Sequence, residues 1–421
     1  MHNNILKLSI IVHLLLLLCS RGIGGEFQFD DFAWIHAPVL TGGEPHVPGR
    51  PLQSLMMHGI WMVWGLNPLP FKVISLLLHS LVILTLLKIA DTLERGYWGV
   101  TLFAVHPVLV STVCYPVQSS VILAALWGSL AFLSYLNKKY IPMLLFLGFA
   151  ALSKQVAWVF PLVILLYEWL IVRKRSVTIP LLLISATALY VVITRDLHSQ
   201  MPLRAYNAWE RVCTQCLIIG DYLKMVLLPH VSRYALDHDI THTSNPMFIL
   251  GLTLLGGLGV SISNNYGKFA ILGLVVLLVP EFTIMNLELM FEHRLYIPLA
   301  FLCVFVPRTC APYQRKLYSI AACFLAIVSI QYQCIFRTQI GLWEHNLKKY
   351  PNNFRAHLNL ALLTYKKEPL RALYHMDKLK HCRDRKGGKW SHRANYVYSA
   401  SMRPLIIEAI NRFDRSIAPQ P

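Results

Sequence analysis

Long apolar runs separated by short polar turns dominate this chain. They lie near 5–19, 71–89, 97–114, 117–136, 140–152, 156–172, 177–194, 213–229, 246–262, 268–284, 295–307 and 317–335. Crossing the hydrocarbon layer takes about 20 predominantly apolar residues in a helix. The pattern therefore predicts an all-α, polytopic membrane bundle, in which several runs are shorter than ~18 residues. The 213–229 run is interrupted by Asp221 and Lys224 and followed by Pro229, which predicts a re-entrant segment and leaves about eleven spans. The first run has only Lys7 before its apolar stretch. The sequence Leu18-Cys19-Ser20-Arg21 after it lacks a small-x-small cleavage site, so an uncleaved span is expected. Three regions follow: a membrane domain over 1–336 with a first outer loop at 20–70, a short helical region at 337–380, and a basic tail at 381–421.

Composition agrees with this reading. Of 421 residues, 55% are apolar and 14% charged, and the mean hydropathy is +0.49. Basic turns at Lys138-Lys139, Arg173-Lys174-Arg175 and Arg308 with Arg315-Lys316 orient the bundle with those turns in the cytoplasm. The 20–70 loop is then expected outside, and with a re-entrant 213–229 so is the C-terminal region. The net charge of +18 is uneven: from Arg337 onward there are 17 Lys or Arg against 6 Asp or Glu. No nucleic-acid module accompanies that surplus, so the expected partner is the anionic headgroup surface of the bilayer. The nine cysteines lie mostly in or beside apolar runs and read as small core residues. Cys213-Thr214-Gln215-Cys216 has no second pair to complete a zinc site.

Candidate chemistry lies at the edges of the apolar runs. Asp30 and Asp31 stand together in Phe-Gln-Phe-Asp-Asp-Phe just beyond the first run, where two adjacent carboxylates are costly to desolvate. His79, His106 and Lys154 fall inside or at the junctions of runs, and ionisable groups there are functional candidates. For the two histidines, a hydrogen bond to a neighbouring helix is the plainer reading. Asp237, His238 and Asp239 form one outward cluster, with side chains a divalent metal could use but no defined geometry. Glu281, Glu288, Glu292, His293 and Arg294 form another, followed by Tyr296. Carboxylates facing Lys154 and Arg294 at one surface suit an anionic, phosphorylated substrate, because Arg forks onto phosphate oxygens and Lys acts as a point charge.

The order of these residues resembles a known family. Asp30-Asp31, Gly49-Arg50-Pro51-Leu52, His79, Phe103-Ala104-Val105-His106-Pro107, Tyr115-Pro116-Val117-Gln118, Ser153-Lys154-Gln155, Leu236-Asp237-His238-Asp239 and Phe291 to Pro298 follow one another. The whole resembles bacterial membrane proteins related to the TMTC and protein O-mannosyltransferase families, glycosyltransferases of the GT-C fold. Trp343, Tyr350-Pro351-Asn352-Asn353, Ala356, Asn359-Leu360-Ala361 and Ala372 resemble one tetratricopeptide repeat and part of another. One repeat cannot bury its own apolar face, so it must lean on the membrane domain or on a partner.

The resemblance implies a polyprenyl-phosphate monosaccharide donor and a hydroxyl acceptor on a secreted or surface protein. It implies a site on the periplasmic side of a bacterial inner membrane. Asp30 and Asp31 would be the base or acceptor anchor, and Lys154, Arg294 and Arg50 would take the donor phosphate. His106, Asp237, His238, Asp239, Glu292, His293 and Tyr296 are substrate-site candidates. Three positions depart from the family pattern: Ser111-Thr112, Ser119 and Gln155 stand where charged groups are usual. Competing readings are sugar transfer to a lipid or glycan, and a non-catalytic membrane scaffold with the repeat region as its docking surface.

Overall fold

The computed structural model describes residues 22–173, 206–279, 282, 288–306, 311–379 and 382. The predicted spans at 5–19 and 177–194, and the basic tail beyond 382, lie outside the described residues. Every regular element described is helical. The principal helices are α1 (Pro51–Trp64), α2 (Pro68–Thr92), α3 (Trp98–Ala104), α4 (Ser119–Leu136), α5 (Tyr140–Ser153), α6 (Phe160–Tyr167) and α7 (Ala208–Leu227). After them come α8 (Met247–Ile262), α9 (Asn265–Val279), α10 (Tyr296–Cys303), α11 (Pro312–Ile335), α12 (Gln339–Lys349), α13 (Phe354–Thr364) and α14 (Pro369–Leu379).

Proline marks the starts of several of these helices. Pro51, Pro68, Pro161 and Pro312 sit in first turns, where a missing N–H costs nothing. Elsewhere proline breaks the predicted runs. The 97–114 run ends its helix at Ala104 and resumes after His106-Pro107 as a 3-10 turn, Pro107–Leu109, and a short helix, Val110–Val113. Among the described residues, four helical stretches are long and apolar enough to cross a membrane: Pro68–Thr92, Pro116–Leu136, Gln155–Val172 and Pro312–Ile335. The expected count of about eleven is thus matched in part only, because several runs form helices shorter than a bilayer.

The long helices expose apolar stripes at helical spacing. Leu77, Leu81 and Leu84 project from α2, and Ile320, Phe324 and Ile327 from α11. Such faces are too large to leave in water and suit a hydrocarbon surround. The chain is a membrane protein. Its centre is α4, where 78% of the apolar window is buried.

Close approach is set by small residues. A Cβ on Gly99 would lie 2.0 Å from the Cys303 carbonyl oxygen and 2.6 Å from Val306 Cγ2, so α3 rests directly on the end of α10. Gly99→Ala should therefore overpack this contact and lower stability by about 1–3 kcal/mol. Thermal unfolding of the variant in detergent checks this, and an unchanged midpoint would refute the contact.

The helices define two ends. At one lie Arg95, stacked 3.7 Å over Tyr266, with Lys138 and Arg173, which take left-handed backbone at φ 58 and 56 as the chain leaves its helices. At the other lie the 22–50 loop, the 106–118 turns, the end of α5, and the 228–240 and 288–296 segments. The C-terminal helices pack on this second end. Leu342, Trp343, Ala356 and Leu360 belong to the main core, while Ala361, Ala372, Met376 and Leu379 close a small core between α13 and α14.

Candidate active site

The 22–36 loop is fastened from both sides. Its Glu26 N–H donates to the Arg337 carbonyl at 3.0 Å, and the Gln28 side chain donates to Phe336 O at 3.1 Å. On the other side, the Asp30 N–H donates to the Tyr115 hydroxyl at 2.8 Å. Asp31 is buried, and both its oxygens are occupied. One accepts the Val117 N–H at 2.8 Å, the other the Gln28 N–H at 2.9 Å. The Tyr115-Pro116-Val117 turn thus holds both acids, and Val117, in the first turn of the 3-10 helix Pro116–Gln118, has an N–H with no partner within that helix.

The two carboxylates differ in access. Asp30 is half-buried and Asp31 fully buried. Burial raises the Asp30 carboxyl above its ordinary range, against a Tyr115 hydrogen bond and the nearby charges of Arg355 and Arg50, with Glu288 adding to the rise. Burial pushes Asp31 up to about 8, against its two amide donors and Lys72, while Asp30 adds to the rise. Lys72, buried in the second turn of α2, donates to the Gly22 carbonyl at 3.3 Å.

The predicted cations gather around His293. Burial lowers this imidazole well below its usual range, and Lys154, Arg294 and Arg50 each lower it further. Lys154 caps α5 in an extended conformation, which turns it out of the helix toward the site end. Arg50 precedes α1 and donates to Ser120 Oγ at 3.2 Å. Because Arg50 also acts on Asp30, one cation spans the acidic loop and the cationic cluster. Arg294 is differently engaged: its guanidinium donates to the backbone carbonyls of Leu289, at 2.8 Å, and Glu288. It shapes the 288–291 segment and contributes charge at longer range.

Other expected site residues hold elements together. Glu292 is buried and accepts from the Ala235 N–H at 2.7 Å and the Tyr332 hydroxyl at 3.0 Å, with His238 Nε2 at 3.5 Å. Asp237 receives the C-terminal helices. Its N–H donates to Asn346 at 2.9 Å, and its carboxylate accepts from Asn353 at 2.9 Å and pairs with Arg355 at 3.1 Å. His238 meets the Tyr350 hydroxyl at 3.2 Å. Asp237 and His238 therefore dock α12 and α13, and no cluster of three metal-ligating side chains exists among the described residues. His106 caps the 107–109 turn and bonds the Val226 carbonyl, while Tyr296 bonds His79 between spans. Asp239 follows His238 in the same docking segment. Ser111 and Thr112 are buried, and Gln155 donates to the Gly49 carbonyl at 3.2 Å.

Sequence reading missed Arg355. From α13 its guanidinium pairs with both Asp237 and Glu288 and lies 5.8 Å over the Phe29 ring, beside Asp30. Burial lowers its pKa, yet Asp237, Glu288 and Asp30 hold it above the usual range. Nothing in the local sequence distinguishes it from an exposed helix arginine; the signal is its place two residues beyond the N-cap Asn353, which closes the turn Tyr350 to Asn353.

Comparison with known proteins adds a distant relation. The chain is 34% identical over 145 residues to protein O-mannosyl-transferase TMTC1 of Mus musculus, covering 28% of this chain and 15% of that protein. The match to TMTC1 of Homo sapiens has the same identity and length and covers 16% of the human protein. The matched region is thus a small part of either relative's length. No family model matches the chain, and no solved structure matches it. What is shared with the two TMTC1 proteins is a distant relation over that stretch.

Proposed function

We propose that this protein is a glycosyltransferase that moves a monosaccharide from a polyprenyl-phosphate donor to a hydroxyl on a protein, at the end of the bundle that carries Asp30. The observation that carries this reading is a half-buried carboxylate with raised proton affinity, placed within reach of Arg50 and beside the Lys154–Arg294–His293 cluster. The likeness to two proteins named O-mannosyl-transferases supports the reaction class. The basic turns at the opposite end, Lys138 and Arg173, support an outward placement of the site, periplasmic if the membrane is a bacterial inner one.

In this reading Asp30 accepts the proton of the acceptor hydroxyl as its oxygen attacks the anomeric carbon. The new C–O bond forms as the bond from the anomeric carbon to the phosphate oxygen breaks, and the electron pair leaves with the lipid phosphate. Lys154 and Arg50 neutralise the charge that develops there, with Arg294 behind them. Burial helps twice, by raising the basicity of Asp30 and by strengthening each cation's pull on phosphate. A phosphate leaves without a general acid, and direct displacement inverts the sugar centre. Asp31 positions the loop rather than touching substrate. Asp237, His238 and Glu292 fix the surrounding segments.

The test uses the full chain in nanodiscs, a panel of polyprenyl-phosphate monosaccharides and Ser/Thr peptides, read by intact mass. The expected result is a one-sugar increment with at least one donor, reduced roughly 10²-fold in Lys154→Gln. Transfer that appears only on lipid or glycan acceptors would overturn the protein-acceptor assignment. Full activity in Lys154→Gln would overturn the phosphate site.

A further inference from the structure

A second cationic recess has a lining that shares no residue with the Asp30 loop or with the cations around His293. It is a cleft of about 430 Å³ between the end of α7, the 230–233 turn and the end of α12. Lys224, His230, Arg233 and Lys349 line it, with Tyr350 and one acid, Asp221. That acid is taken up by Lys224 at 2.9 Å, so the lining carries a net positive charge. The Lys349 ammonium donates to the Arg233 carbonyl and lies 5.1 Å from the centre of the Tyr350 ring, which seats it in the cleft wall. Burial pulls that ammonium down to about 8, against the attraction of Glu292 and Asp221, as expected for a cation held ready without a full counter-charge.

Beside the cleft the end of α7 presents an apolar face to its surroundings: Leu223 and Leu227, with Leu228 just after the helix, are 50%, 70% and 61% exposed. Cations above outward-facing leucines match a molecule with a phosphate head and hydrocarbon tails. We infer that this cleft binds the phosphate of a lipid headgroup at the bilayer edge, at a site separate from the cation cluster around His293. Lys224 and Arg233 would meet the phosphate oxygens. The leucines would lie along the acyl chains. The 11-residue helix α12 would then be tied to the membrane surface at its C-terminal end, next to the contacts that dock it on Asp237.

Native mass spectrometry of the full chain tests this, after incubation with phosphatidylcholine micelles with or without phosphatidic acid. Wild-type protein should retain phosphatidic acid in preference to phosphatidylcholine. Lys224→Gln and Arg233→Gln should each reduce that retention about fivefold and their combination more than twentyfold, in line with the pull of single basic residues on anionic lipid. Lys349→Gln also removes a structural hydrogen bond, so Lys224 and Arg233 provide the decisive variants, with thermal midpoints within a degree or so of wild type expected. Equal retention of both lipids, or undiminished retention in the double variant, would overturn the site. Displacement of phosphatidic acid by millimolar inorganic phosphate would overturn the lipid assignment in favour of a free anion. The readout is binding and not transfer, so its failure leaves the proposed glycosyl transfer where it stands.

Discussion

Asp30→Asn should lower sugar transfer by about 10²–10⁴-fold with little change in folding, the range expected for loss of a general base. Asp31→Asn should do the reverse. Each Asp31 oxygen accepts a backbone N–H, and an amide would turn an NH₂ group against one of those donors. Leaving a buried donor unsatisfied costs about 1–3 kcal/mol, so the Asp31 variant should show its defect in the unfolding midpoint, and in transfer only so far as the loop loosens. Paired measurements of initial rates in nanodiscs and of thermal unfolding separate the two. If Asp31→Asn abolishes transfer at an unchanged midpoint and Asp30→Asn is active, the roles are exchanged.

The pH dependence follows from the same burial. A base works deprotonated, and Asp30 sits above the ordinary carboxylate value of 3.8. The rate should therefore rise with pH through that raised value, and Asp30→Asn should lose this limb. Stability runs the other way. Both acids bind their protons more tightly folded than unfolded, so ionising them opposes folding. Stability should fall as pH rises from about 4 toward the value of about 8 reached by Asp31. Conversion of Asp31 to a neutral side chain should flatten that decline.

The candidate site was legible in the sequence where charge stands out against apolar surroundings. Asp30, Arg50, Lys154 and His293 are exceptional residues for their positions, and the fold brings them to one end. The parts that were not legible depend on distant segments meeting. Asp237 and His238 carry side chains suited to a metal, and sequence alone does not show that their partners are Asn346, Asn353, Tyr350 and Arg355, over a hundred residues away. Arg294 has the fork that phosphate favours, yet both its terminal nitrogens are held by carbonyls five and six residues earlier. The 97–114 run reads as one apolar segment for a local reason: hydropathy averages across His106-Pro107, where the backbone leaves the helix. Tyr115 shows the converse, an ordinary tyrosine beside a proline that turns out to hold the loop carrying both acids.

Removing the Arg355 guanidinium should be the most damaging single change outside the bundle. Its two ends bind Asp237 and Glu288, and Asp30 lies close by, so Arg355→Ala leaves three carboxylates facing one another in a partly buried space. Breaking a buried pair by deleting one partner costs about 3–5 kcal/mol; with its side chain 23% exposed, about 2–3 kcal/mol is expected here. The loss should be local. Hydrogen exchange should quicken in α12 and α13 and in the 228–240 segment while α4 stays protected. Transfer should fall too, because Asp30 loses a cation that favours its ionised form, and the pH limb of the rate should move upward. That upward move separates a positioning role from a merely structural one, since a loosened tail alone would lower the rate without displacing the limb. Arg355→Lys should recover charge but not the two-ended grip, restoring the pH limb more fully than the exchange protection. A variant with wild-type exchange in α13 would show that the C-terminal helices are held by their apolar core alone, through Trp343 and Leu360.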